Sequence, residues 1–502
     1  MGGASGAIEV RSDSTLIHDG TMRITGTLQG SGDLTIRGRQ DNRFGYHIGL
    51  LGNASQYTGD LHVESGALRI GKAGSAGSGD VHVQAAGRLV LQTNSSSDPP
   101  LNVTNDVHLH GGTLYGVPTS SGIGGDRSPS VLHGGLVIHG ESYVGASATG
   151  FKNNSEIPGL RLAGDVSLVD GAHVFGLSDS RHTVAEGEVA LVDISGRLLV
   201  GADVNWHLLS SSLSISGHVR ANSNDAAINF VGGRDQLRFK AAKFHADPAR
   251  RLAVSVNGGK NPVNLAAVGN ILTGQGSLAG DFSLASGAAV APGNSAGTLT
   301  IEGDVAMGSG AILDLEIGGA TVGTQYDRLI ADSVTLDGAI LRLELLAGFV
   351  PDRDDVFTVV SAGGPIIGEF ANIRPGQRLL TSNQLGSFVV GYGATAADLN
   401  SVVLTDFLWA SDFNGDANVD GADLISWKSR YGSLGSAPFS AGDADGDLDV
   451  DGADFLTWQR QFGGANASAG ALPAPEPSSF VILSAVTTSL LLCRRRLAAI
   501  RL

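Results

Sequence analysis

The sequence predicts a mainly β chain with three parts. A long parallel β-helix or β-solenoid body comes first, then a small α unit of paired EF-hand-type loop–helix motifs, then a single hydrophobic helix. Three observations carry this reading: a Gly-Asp unit that recurs along the body, a duplicated acidic loop near residue 412, and an apolar run ending in arginines.

The body is organised around GDLHVESGALRI (59–70), two short apolar-x-apolar strands joined by a turn at Gly66. The unit recurs as GDVHVQAAGRLVL (79–91), NDVHLHGGTLYG (105–116), GDVSLVDGAHVFG (164–176), GDFSLASGAAV (280–290) and GDVAMGSGAILDL (303–315). A shorter copy, GDLTIRG, starts at Gly32, and SVTLDGAILRLEL (333–345) lacks the Gly-Asp. Copies beginning at Gly32, Gly59, Gly79 and Asn105 lie 27, 20 and 26 residues apart, and those at Gly280 and Gly303 lie 23 apart. Such a period is too short for a propeller blade and suits one solenoid coil. Strands this short cannot bury an apolar face alone, but coils stacked about 4.8 Å apart pair their backbones and share one core. Glycine is expected to supply positive φ at the corners, and aspartate to bond the turn's own backbone.

Composition agrees with such a body. Of 502 residues, 42% are hydrophobic, 16% charged and 6% aromatic, so a narrow aliphatic core is well supplied. The net charge of −16 disfavours nucleic acid and anionic membrane surfaces as partners. The single cysteine, Cys493, leaves no disulfide framework. The N-terminal MGGASGAIEVRSDS has neither a basic nor an apolar signal region, although the opposite end reads as exported, so a start further upstream is expected.

Within 1–275, NASQYTGDLHVESGALRIGKAGSAGSGDVHV (53–83) resembles the autotransporter-associated β-strand repeat of bacterial surface proteins. The resemblance implies a passenger-like stalk without chemistry of its own. Repeats become irregular after about 130, and AAKFHADPARR (241–251) breaks the pattern. Residues 276–405 are tidier. Ala291-Pro292-Gly293-Asn294-Ser295, Tyr326-Asp327-Arg328-Leu329 and Asp355-Val356-Phe357-Thr358-Val359 resemble the C-terminal end of bacterial β-solenoid surface proteins, which implies a cap on the stack.

The sharpest chemical signal spans 406–465. DFNGDANVDGADLISWKSRYG (412–432) repeats as DADGDLDVDGADFLTWQRQFG (443–463) at an offset of 31. Each copy opens with a twelve-residue loop bearing oxygen side chains at positions 1, 3, 5, 9 and 12. These are Asp412, Asn414, Asp416, Asp420 and Asp423 in the first, and Asp443, Asp445, Asp447, Asp451 and Asp454 in the second. Asn418 and Asp449 at position 7 are expected to offer backbone carbonyls. Hard oxygen donors at this spacing suit the six to eight ligands of Ca2+, so two Ca2+ sites are expected. A helix should follow each loop, with Leu424, Trp427 and Tyr431, or Phe455, Trp458 and Phe462, on one face and Gly432 or Gly463 at the stop.

The aspartate at position 12 and the missing entering helix make this pair resemble a type I dockerin domain, which implies docking to a cohesin module. Two features depart from that pattern. Position 6, normally glycine in a left-handed turn, is Ala417 and Leu448, and positions 10 and 11 are Gly-Ala in both copies. A Ca2+-stabilised module without a cohesin partner therefore stands beside the docking reading.

After a linker at 466–479, the apolar FVILSAVTTSLLLC (480–493) runs into the tail that ends at 502. Pro475-Glu476-Pro477 before this run and Arg494-Arg495-Arg496 after it resemble the PEP-CTERM sorting signal. The resemblance implies an exosortase-type processing enzyme as partner, a transient membrane anchor, and delivery to the cell surface, outer membrane or extracellular matrix.

His62, His82 and His108 share the middle position of successive strands and should form an outward imidazole ladder. Adjacent strands alone do not close a tetrahedral metal site around it. Asp60, Asp80 and Asp165 recur with the turn and read as structural rather than catalytic. No nucleophile elbow, HExxH or P-loop is present, and no catalytic or cofactor-binding set emerges. The leading expectation is an exported structural or adhesive β-solenoid. The alternative is a polysaccharide-degrading or carbohydrate-binding β-helix assembled through dockerin–cohesin docking.

Overall fold

The computed structural model describes residues 2–39, 47–92, 99, 101–117, 119–120, 127–146, 159–178, 191–209, 211–233, 236–293, 295–346, 348–393, 398–435 and 437–463. The expected linker, hydrophobic helix and sorting residues Pro475, Glu476, Pro477 and Arg494 to Arg496 lie outside the described residues. No described helix is long and apolar enough to cross a membrane. The protein is mainly β, with 51% strand and 6% helix, and its largest sheet is parallel over most of its length. Contacts divide the chain into two units that meet at Phe407 and Leu408.

In the first unit the strands stack in parallel coils, a β-helix-like arrangement. One inward position can be followed from coil to coil: Leu34, Leu61, Val81, Val107, Leu136 and Val166 pair in sequence. The same column continues through Leu198, Val219, Phe244, Leu272, Val290, Leu313 and Leu341. Every one of these side chains is buried. The column therefore has a definite register through the irregular 130–275 stretch and crosses residue 275 without interruption. Burying each Val, Leu or Phe contributes about 1.5–3 kcal/mol, and stacking makes that gain repeat at every rung.

The coils carry more than the two strands legible in the repeat. Ser130–Leu132, Leu160–Leu162, Leu191–Ile194, Ser212–Ile215 and Leu237–Phe239 form a separate parallel sheet. They precede Leu136–His139, Val166–Leu168, Leu198–Val200, His218–Ala221 and Lys243–Ala246. A coil here has three faces. The third face escapes notice in the sequence because its strands have three or four residues and no Gly-Asp of their own.

The expected positive φ is found at corner glycines such as Gly66, Gly171, Gly287 and Gly310, and in the Gly-Asp units at Gly280 and Gly303, while other Gly-Asp glycines meet a second constraint. Gly59, Gly79 and Gly164 do not have positive φ. At those three positions a Cβ would lie 2.1–2.2 Å from a carbonyl oxygen one coil back, on Gly32, Gly59 and Gly134. The residue is small because stacked backbones touch there. Asn105 fills the equivalent place and turns its side chain to use, donating to the Gly79 carbonyl at 2.7 Å. The aspartate that follows also bonds across coils. The Asp60 N–H donates to Asp33 Oδ1 at 2.9 Å and the Asp80 N–H to Asp60 Oδ1 at 2.8 Å.

Parallel stacking runs on to Phe357–Ala362 and Ile367–Glu369, both parallel to Arg328–Asp337, and antiparallel pairing then closes the sheet. Phe357–Ala362 pairs antiparallel with Ser401–Trp409, and Arg378–Leu380 antiparallel with Gly386–Gly391. Tyr326, Phe357, Phe388 and Phe407 pack in sequence there, with ring centroids 5.2, 5.8 and 5.2 Å apart. Beneath them Asp327, 1% exposed, accepts the Gly297 N–H at 2.7 Å and the Glu316 N–H at 2.8 Å. Burial pushes its carboxyl up to about 7, against the pull of those two donors.

Gly164→Ala should lower the unfolding midpoint of the first unit by an amount worth roughly 1–3 kcal/mol, read by urea denaturation, because the new methyl meets backbone rather than a movable side chain. A second expectation concerns pH. Folded Asp327 holds its proton more tightly than the unfolded chain does. Stability should therefore fall as pH rises from about 4 to about 7 and flatten above that, with a shallower slope in Asp327→Asn.

Candidate metal centre

The second unit contains the duplicated motif, and its two copies are built alike. Helix α1 spans Gly421–Arg430 and α2 spans Gly452–Gln461. Each is started by the aspartate at loop position 9. Asp420 accepts the Ala422 N–H at 2.7 Å, and Asp451 accepts the Ala453 N–H at 2.6 Å. The position-12 aspartates close a capping box, accepting the Asp420 N–H at 2.9 Å on Asp423 and the Asp451 N–H at 2.7 Å on Asp454. Gly432 and Gly463, with φ of 87° and 76°, follow the helices as expected.

Positions 1 and 12 are the buried anchors of each loop. Asp412 accepts from the Gly415 N–H at 2.8 Å and the Ala417 N–H at 2.8 Å, while Asp423 accepts from the Phe413 N–H at 2.8 Å. In the second copy Asp443 accepts from Gly446 at 2.7 Å and Leu448 at 3.0 Å, and Asp454 from Ala444 at 2.7 Å. Burial raises the carboxyls of Asp412, Asp423 and Asp443 above the ordinary aspartate range and pushes Asp454 up to about 6. These groups carry charge away from water, and a bound cation would relieve that cost.

Asn414, Asp416, Asn418 and Asp420 sit on the exposed side of loop one, where Asn414 donates to Asp416 at 2.9 Å and holds its carboxyl low. In loop two, single ligand atoms of Asp443, Asp445 and Asp447 lie within 4.8 Å of one another, and so do those of Asp449, Asp451 and Asp454. The side chain of Asp449 thus joins the acidic group, where a backbone carbonyl was expected. Its Oδ1 is buried without a hydrogen-bond partner, and burial followed by the charges of Asp447 and Asp451 raises its carboxyl.

The two copies brace each other. Trp427 Nε1 donates to the Asp451 carbonyl and Trp458 Nε1 to the Asp420 carbonyl, both at 2.9 Å. The Gly432 N–H donates to Val450 at 2.8 Å and the Gly463 N–H to Val419 at 3.0 Å. These reciprocal bonds were not foreseen, although the offset of 31 residues between all four pairs carried the signal. Trp427 and Phe455 pack at 5.1 Å and Trp458 is buried, whereas Tyr431 and Phe462 lie just past the helices and are exposed.

In the first unit the imidazole ladder is present. His62, His82 and His108 stack with centroids 4.8 Å apart at both steps. A second column, His110 and His139, stacks beside it at 4.7 Å. Burial, then neighbouring imidazoles, lowers the affinity of His82 and His110 for protons. Asp60 and Asp80 each bond the preceding coil as described, and Asp165 pairs with Arg197 of the next coil.

Comparison with known protein-family models and with curated proteins found no match. The geometry of these sites is therefore the ground for any reading of function.

Ala417 and Leu448 have φ of 68° and 73°, so both hold the left-handed turn expected at position 6 without being glycine. Leu448→Gly should raise the thermal midpoint of the second unit by an amount equivalent to about 1 kcal/mol, measured by calorimetry, because the strain of an L side chain in that region costs about 1–2 kcal/mol.

Proposed function

We propose that this chain is an exported structural or adhesive protein of the cell surface or extracellular matrix. Its parallel β body serves as a stalk, and its second unit is a dockerin-like module that binds two Ca2+ ions through Asp412, Asn414, Asp416, Asn418, Asp420 and Asp423 and through Asp443, Asp445, Asp447, Asp449, Asp451 and Asp454. The observation that carries the reading is the paired loop–helix geometry, with buried, backbone-anchored aspartates at both ends of each loop and, in the second loop, acidic side chains gathered around them. The sorting role of the PEP-CTERM-like tail, with an exosortase as its processor, rests on sequence resemblance alone.

Cohesin docking has support of its own. Ile425 and Leu456, equivalent at the offset of 31, are 70% and 51% exposed on the two helices. Apolar side chains held in water at matched positions favour a partner surface over a purely stabilising module.

The carbohydrate readings find less to stand on. Tyr143, Phe175 and His207 form an aromatic row on the body, but they stack on one another at 5.2 and 4.8 Å, so both faces of Phe175 and the facing sides of its neighbours are covered. A sugar needs an open aromatic face. A concavity of about 520 Å3 near Phe230, Leu237 and Phe239 is lined, among the described residues, by Arg238 and Lys240 and by no carboxylate.

Calorimetric titration of the full chain with Ca2+ should show two binding events, with Asp454→Asn abolishing one and Asp423→Asn the other. No heat up to about 1 mM Ca2+, in the range of weak extracellular sites, would remove the metal-binding half of the proposal.

A further inference from the structure

We propose that Asp33, Asp60 and His62 form an inter-coil site for one divalent transition-metal ion, Zn2+ being the best fit, that staples two neighbouring coils of the stalk. The inference is independent of the acidic loops in the second unit and of the export reading.

Asp33 precedes the strand Leu34–Gly38, and Asp60 and His62 belong to the coil that stacks on it, with Thr35 opposite His62. The three side chains offer one imidazole nitrogen and two carboxylate oxygens, all within 4.8 Å of one another. His62 Nε2 stands 3.6 Å from Asp33 Oδ2. That separation is too long for a hydrogen bond. It is close to the roughly 3.4 Å between two ligands of a tetrahedral ion with bonds near 2.1 Å. The carboxylates are held without using up their coordinating capacity. Asp33 Oδ1 accepts the Asp60 N–H and Asp60 Oδ1 accepts the Asp80 N–H, which aims the remaining oxygens at the imidazole row.

The surroundings suit an open site. A concavity of about 490 Å3 flanks it, lined by Asp13, Asp33, Thr35, His62, Glu64 and Gln84. Water can complete the coordination there. Glu64 is already engaged by Arg37, so the two aspartates supply the charge that balances a divalent ion. A nitrogen donor beside two carboxylates selects Zn2+, Co2+ or Mn2+ over Ca2+, which prefers an all-oxygen shell. The next rungs repeat the histidine–aspartate spacing, at 3.6 Å for His82 with Asp60 and 3.4 Å for His108 with Asp80. Among the described residues only the first rung gathers ligand atoms from three residues, and neighbouring rungs share Asp60, so the ladder takes one ion rather than three.

The test uses the full chain with Ca2+ in excess to occupy the acidic loops, and Co2+ as a spectroscopic stand-in for Zn2+. One equivalent of Co2+ should produce a visible d–d band more intense than that of the aqueous ion, and Zn2+ should displace it. The band should be lost in His62→Gln and in Asp33→Asn, and kept in Asp443→Asn. Asp33→Asn retains an oxygen to accept the Asp60 N–H, so it keeps the coil contact while removing a charge. Circular dichroism of both variants without metal should match the parent chain. Absence of the band in the parent, or its persistence in either folded variant, would overturn the assignment.

Discussion

Everything in the first unit depends on how closely one coil can lie on the next at the corner before the aspartate. The backbone of Gly59 or Gly164 approaches a carbonyl of the preceding coil so nearly that no Cβ fits. This contact sets the rise of the stack, and with it the pairing of every strand and the continuity of the inward column. The side chains follow from the rise. Valine, leucine and isoleucine fill a core whose cross-section is nearly constant, while polar residues at the alternate positions line up with their counterparts one coil away. Histidines stacked 4.8 Å apart are a direct readout of the coil spacing. The same regularity brings Asp33 to His62, since a side chain that leans across one rung meets the next copy of the motif.

Much of this was legible in the residues, and the failures have physical causes. The recurring Gly-Asp revealed the repeat because its constraint is local and strict. Positive φ at the turn glycines was legible, whereas the crowding at Gly59, Gly79 and Gly164 was not, because sequence shows that a residue must be small without showing whether the reason is φ or a neighbour. The third face was missed because strands as short as Leu160–Leu162 carry too few alternations to stand out from loop. Register between coils, uncertain from about 130 onward, required the tertiary pairing itself, since insertions between Ala146 and Leu160 change the period without disturbing the column.

In the second unit the positions of the acidic loop side chains could be read from spacing alone, since a twelve-residue loop imposes its own geometry. The left-handed turn at position 6 is adopted by Ala417 and Leu448 despite their side chains, which shows that the hydrogen bonds converging on Asp412 and Asp443 outweigh the local strain. Departure from the loop pattern at that position tunes stability rather than shape. Asp449 was the surprise, and its side chain lies with the acidic group because position 7 in this copy carries a carboxylate long enough to reach Asp451 and Asp454.

The crossed tryptophan bonds have a consequence for how the second unit responds to its surroundings. Each indole donates to the carbonyl of the residue that begins the other helix, so each copy supplies part of the scaffold on which the other is organised. Neither half builds its scaffold alone. Ordering one loop lowers the entropy that remains to be lost in the other, and linkage makes that assistance equal in both directions. A change that loosens one loop is therefore felt in the other.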